Sequence, residues 1–100
     1  MATEIQAAEL LIRNASDKIN NLEPMTLESA MCKLFASELC VKISNEAVQI
    51  FGGYGYIQEY PLERHVRDVR VHQILEGTNE IMKMIIGRRM IMEDAASIIQ

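Results

Sequence analysis

The segment from Leu27 to Ile50 constrains this chain more than any other, because it carries two apolar stripes with no break between them. One stripe passes through Leu27, Met31, Leu34, Val41 and Val48, the other through Cys32, Phe35, Leu39, Ile43, Ala47 and Ile50. Steps of three, four and seven residues place each stripe along one side of an α-helix. A helix apolar on two sides has to be covered on two sides, so it belongs at the centre of a helical assembly and not on its surface. Thr26 stands where an N-cap is expected, with Glu28 in the first turn, where the helix dipole favours an acid. Gly52 and Gly53 are the expected stop, since glycine enters the left-handed conformation of a C-terminal cap without steric cost.

Ahead of this helix, Ile5, Ala8, Ile12, Ala15, Ile19 and Leu22 recur at three and four, with Glu4, Glu9, Arg13 and Asp17 on the other side. This predicts an amphipathic first helix that runs until Asn20, Asn21 and Pro24 interrupt it. The periodicity is already running within a few residues of Met1 with no cap before it, so the chain is expected to begin inside a longer helix, N-terminally truncated. After the glycines, Tyr54 to Tyr60 reads as a turn-rich connection. Pro61 takes the first position of a third helix, with Leu62, Val66 and Val69 inward and Glu63, Arg64, Arg67, Asp68 and Arg70 outward. Val71 to Leu75 is too short a run to assign. Gly77 interrupts it, and Thr78 caps a last helix that carries Ile81, Met84, Ile85 and Met92 and continues to about Ala96. The expected fold is an all-α, up-and-down helical bundle of about four helices, a single domain over residues 1–100.

The 100 residues suffice for one modest core, and 49% hydrophobic with 24% charged residues is the balance of a chain that folds. A net charge of -4 argues against a nucleic-acid footprint, and no apolar run approaches the roughly 20 residues of a membrane span. The start MATEIQAAELL has the features of neither a secretory signal nor a transit peptide. Cys32 and Cys40, eight residues apart on one helix, are separated by about 12 Å and cannot bridge each other. There is no CxxC, HExxH or GxSxG. His65 and His72 are seven apart and read as ordinary histidines, so no metal site is expected. Glu63 and Asp68 interleave Arg64, Arg67 and Arg70, which makes a solvated face the simpler reading of that charge.

Two stretches have chemistry-bearing composition. In QIFGGYGY, Gln49 to Tyr56, a helix ends at paired glycines that let a ligand approach backbone amides closely. In LEGTNEI, Leu75 to Ile81, an acid precedes a glycine and a threonine cap at the mouth of a helix. Each alone also has a purely structural reading, as a helix stop and as a partner for a helix dipole.

Taken together, the 34 residues from Val48 to Ile81, VQIFGGYGYIQEYPLERHVRDVRVHQILEGTNEI, resemble without a gap the C-terminal signature of the acyl-CoA dehydrogenases: QIxGGxGY, YPxER, RD and EGT. KLFASELC in the preceding helix resembles the same domain. The resemblance implies that Gln49, Gly52 and Gly53 contact the FAD of a neighbouring subunit and that Thr78, Asn79 and Glu80 contact FAD again. It implies that Gly77 lies beside the bound acyl-CoA thioester and that Glu76 is the base that removes the pro-R α-proton while the β-hydrogen leaves as hydride to the flavin. The product implied is a 2,3-enoyl-CoA, the electron acceptor is electron-transfer flavoprotein, and the assembly is a homo-oligomer, a tetramer built on C-terminal domains. Leu75 stands where many members carry an aromatic residue, and RVHQILEG looks most like the branched-chain group typified by isobutyryl-CoA dehydrogenase. The family's place is the mitochondrial matrix in a eukaryote and the cytoplasm in a bacterium. Its N-terminal helical domain and flavin-holding β-domain are not among these residues, so the isolated chain is expected to be inactive. A reading of a different class is a non-catalytic helical association module.

The chemistry asks for these residue types independently. A thioester α-proton is a weak acid, so its base must be a carboxylate whose basicity rises when the acyl chain dries the site. Developing enolate charge must meet fixed donors, which a helix mouth supplies.

Overall fold

The computed structural model describes residues 1–92. In chain order it contains α1 (Ala2–Asn20), α2 (Thr26–Phe51), the single turn α3 (Gly53–Tyr56), α4 (Leu62–Arg70), a 3₁₀ turn (Val71–Gln73) and α5 (Asn79–Met92). Among the described residues there is no strand, and no helix is long and apolar enough to cross a membrane.

The long helix is central, as its two stripes require: α1, α3, α4 and α5 all pack on α2. The buried core consists of Leu27, Ala30 and Leu39 of α2 with Ala15 of α1 and Met82 of α5. Two of these five are alanines, whose small side chains let helix axes approach closely.

The apolar faces are turned differently from the periodicity. On α1 only Ala15 is buried, and Ala7, Ala8, Leu11 and Lys18 share the half-buried side, leaving Ile5, Ile12 and Ile19 at the edge and Leu22 almost fully exposed. On α5 the inward side is Asn79, Met82, Ile86 and Met90, while Ile81, Met84 and Met92 are exposed. Both helices are apolar over more than one face, and period alone cannot say which face meets α2. The second stripe of α2 is likewise covered only in part, with Leu39 buried and Phe35 and Ile50 exposed.

Several ends differ from expectation. Thr26 is not a cap: α2 begins with Met25 in the cap position, without a side-chain cap bond, and the first turn closes through Ser29 N–H donating to the Met25 carbonyl at 2.8 Å. The Thr26 hydroxyl instead accepts from Arg89 Nη2 of α5 at 3.3 Å. Gly53 does not end α2. Gly52 alone takes positive φ, 61° with ψ −135°, a conformation reserved for glycine, and this one residue redirects the chain so that Gly53 opens α3. Gly55 lies under α2, where a β-carbon would stand 2.7 Å from the Val48 carbonyl oxygen. Pro61 sits just outside α4 and accepts from His65 N–H at 3.1 Å. The Thr78 cap is present, with Ile81 N–H donating to Thr78 Oγ1 at 3.3 Å. The expected end of the last helix near Ala96 lies outside the described residues.

The body is elongated, 50 × 24 × 24 Å, with a Cα radius of gyration of 16.2 Å against about 13 Å for a compact chain of this length.

Candidate active site

The turn that carries Glu76 is built by three elements. Ile74 and Leu75 N–H both donate to the Val71 carbonyl at 2.9 Å, closing the 3₁₀ turn. The next two residues reverse the chain into α5 with φ of 58° at Glu76 and 92° at Gly77. A glutamate in the left-handed region is disfavoured by about 1–2 kcal/mol, so neighbouring contacts have to hold it there.

Those contacts come from α2. Lys33 Nζ donates to the Gly77 carbonyl at 2.8 Å and to Asn79 Oδ1 at 2.6 Å. Asn79 Nδ2 donates to Ser37 Oγ at 3.0 Å and to Glu38 Oε1 at 2.8 Å, and Gln73 Nε2 donates to Glu38 Oε2 at 2.8 Å. Asn79 is 3% exposed and Ser37 7%, and every buried side-chain nitrogen and oxygen among the described residues has a partner. Three residues within two turns of α2 thus grip both sides of the Glu76–Gly77 pair. Glu76 itself is exposed and lines an open, largely apolar groove with Lys33, Ala36, Cys40, His72 and Leu75.

On the other side of the turn, Thr78, Asn79 and Glu80 border a polar recess with Glu38, Arg70 and Gln73. The Asn79 side chain is wholly engaged with α2, and Asn79 opens α5 as its first residue.

Gln49, Gly52 and Gly53 lie elsewhere, exposed at the far end of α2. Nineteen residues of helix separate Lys33 from Gly52, or about 28 Å at 1.5 Å per residue. The fold therefore gathers Glu76, Gly77, Thr78, Asn79 and Glu80 at one place and keeps the glycine pair at another. A β-carbon on Gly53 would meet nothing within 4 Å.

No group of three His, Cys, Asp or Glu suited to a metal occurs among the described residues. Cys32 and Cys40 are free, and burial pushes the Cys32 thiol up from its ordinary value. The supporting residues Lys33, Ser37, Glu38 and Gln73 were missed by motif reasoning. Their one signal was Lys33 and Ser37, polar and four apart within the most apolar helix.

The protein family described as Acyl-CoA dehydrogenase, C-terminal domain, matches residues 1–91. The chain belongs to the acyl-CoA dehydrogenase family. It is 44% identical over 95 residues to the mitochondrial isobutyryl-CoA dehydrogenase of Dictyostelium discoideum, covering 94% of this chain and 23% of that protein. The structure of butyryl-CoA dehydrogenase from Megasphaera elsdenii superposes with a TM-score of 0.88 at 44% identity, covering 91% of this chain and 24% of that one. The FAD complex of PigA superposes with a TM-score of 0.87 at 33% identity, covering 90% and 24%. The chain thus spans about a quarter of the length of these relatives. The all-α architecture is that of the family's C-terminal domain, and the sequence resemblance over Val48 to Ile81 falls inside the matched region.

Proposed function

We propose that this chain serves as the C-terminal helical part of a flavin-dependent acyl-CoA dehydrogenase that converts a short or branched acyl-CoA to the 2,3-enoyl-CoA, with Glu76 as the α-proton base. The observation that carries this reading is the Glu76 turn: a glutamate held in a disfavoured left-handed conformation, at a groove and a helix mouth, by a hydrogen-bond network centred on the buried Ser37 and Asn79. Strain of this kind persists where the surrounding structure over-determines it, and it concentrates at functional sites.

The chain's surfaces fit a flavin at two places. Thr78, Asn79 and Glu80 would hold it at the α5 mouth, and Gln49, Gly52 and Gly53 at the end of α2, where Gly53 has open space around it. The separation along α2 suits contact sets that serve different subunits of a homo-oligomer. Bound FAD would supply the acceptor for the substrate's β-hydride, and electron-transfer flavoprotein would take up the two electrons.

The remaining work falls to side chains. The groove beside Glu76 accepts the acyl chain, with Leu75 and Ala36 as apolar walls. Gly77 leaves room for the thioester. Glu76 takes the α-proton while the carbon–carbon double bond forms and the β-hydrogen leaves as hydride.

Glu76→Gln in the intact subunit should preserve fold, flavin content and acyl-CoA binding, because shape and hydrogen-bonding capacity are nearly kept. Flavin reduction by substrate under anaerobic conditions should fall by about 10⁴ or more, the upper end of general-base effects. Glu59→Gln, exposed on the connection between α3 and α4, is the control. Reduction of Glu76→Gln at close to the parent rate would overturn the assignment.

A second reading, a helical association module, is favoured by the exposed apolar side chains of α1 and α5. A flavin absorption spectrum of the isolated chain separates the two. The contacts proposed here reach a flavin from one side only, so the isolated chain should retain little FAD and catalyse no dehydrogenation.

A further inference from the structure

We infer that Lys33 is the positioning residue for Glu76, an inference that rests on the reading of Glu76 as the base. Two consecutive residues with φ of 58° and 92° need an external hold, and the chain's own local hydrogen bonds stop short of them: the 3₁₀ turn is closed at Leu75, and the α5 cap begins at Thr78. The one carbonyl between these two structures that is bound by a side chain is that of Gly77, and Lys33 binds it at 2.8 Å. The same ammonium binds Asn79 Oδ1 at 2.6 Å, so a single group fixes the residue after Glu76 and the first residue of α5 relative to α2. Asn79 is in turn held by Ser37 and Glu38, which prevents the turn from sliding along the helix.

Lys33 and Glu76 border the same groove, yet Lys33 spends two of its three N–H donors on the turn and makes no ion pair with a carboxylate among the described residues. Its role is therefore geometric. It sets where the Glu76 side chain departs from the backbone, and reacting groups tolerate little displacement: about 1 Å of misplacement slows a reaction on the order of 100-fold.

The test compares Lys33→Met and Lys33→Arg in the intact, flavin-loaded subunit. Methionine keeps most of the apolar stem and removes every donor, whereas arginine keeps charge and donors. Lys33→Met should shift the melting temperature by no more than about 4 °C, leave the acyl-CoA dissociation constant within about twofold of the parent's, raise amide hydrogen exchange over residues 74–80, and slow anaerobic flavin reduction about 10- to 100-fold. Lys33→Arg should recover most of both the protection and the rate. Reduction at the parent rate in Lys33→Met overturns the inference, and so does a parallel loss of melting temperature, substrate binding and rate, which marks a general role in folding. Exchange is read without turnover. If Glu76→Gln proves fully active, the base reading fails and positioning of a base fails with it, while exchange in Lys33→Met still decides whether Lys33 holds the turn.

Discussion

Gly52 and Gly53 are adjacent and chemically identical, yet the fold uses them differently. Gly52 occupies a backbone conformation that other residues avoid, while Gly53 is helical and has open space where a β-carbon would stand. Gly52→Ala is expected to destabilise the chain by about 1–3 kcal/mol, through backbone strain at the junction of α2 and α3. Gly53→Ala should leave stability unchanged or raise it by up to about 1 kcal/mol, since alanine loses less backbone freedom in a helix. If Gly53 borders flavin, the same substitution in the intact subunit should weaken FAD retention. Chemical denaturation of both variants and FAD titration of the second check these outcomes, and unaltered FAD affinity would remove Gly53 from the cofactor site. The doublet was legible in the sequence as a break, but the division of labour inside it depends on ψ at one residue, which composition does not encode.

At the scale of elements, α1 is held to α2 by small residues and by ion pairs near both ends. Glu4 Oε2 meets Lys42 Nζ at 2.8 Å, and Lys18 Nζ meets Glu28 Oε1 at 3.2 Å. The Lys42 hydrogen bond holds the Glu4 carboxyl below its ordinary value of 4.5 and holds the Lys42 ammonium above its ordinary 10.5. A depressed carboxylate contributes stability above its unfolded value and loses it as pH falls through the folded one. A raised ammonium contributes below its unfolded value and loses it as pH rises through the folded one. The pair therefore acts fully between pH 4.5 and 10.5. Both groups are open to solvent, so the effect is small and screened by salt. Acidification from about pH 6 to about pH 3.5 should lower the melting temperature of the parent more than that of Lys42→Met, and molar salt should close the gap. Equal acid sensitivity at low salt would show that the contact contributes nothing.

For the molecule as a whole, the surface is larger than a free-standing chain of this size presents. The accessible area is 7217 Å², whereas a compact monomer of 11.4 kDa has about 5,800 Å². The excess is of the order that one partner buries in a standard interface, about 800 Å² a side, and more. Much of it is apolar: Ile5, Ile12 and Ile19 on α1, Ile50 and Phe51 at the end of α2, Ile81 and Met84 on α5. The isolated chain is therefore expected to self-associate, with an apparent mass in sedimentation equilibrium that rises with concentration. A single monomeric species across the micromolar to millimolar range would argue that this surface tolerates water.

Hydrophobic period and turn chemistry determined the class of fold and its centre. A helix with stripes on two sides has to be surrounded, and the breaks at Asn20–Pro24, Gly52 and Gly77 have few other uses. They also identified the Glu76 turn as a place of interest, because an acid, a glycine and a cap in that order make sense at a helix mouth. Only the tertiary structure decided which faces of α1 and α5 turn inward, since each has more apolar surface than α2 can cover. It alone decided that Lys33, Ser37 and Glu38 hold the turn from more than 35 positions away in the chain. Such contacts leave no period in a sequence. They depend on α2 and α5 lying side by side, and that follows from burying Leu27, Leu39 and Met82 together.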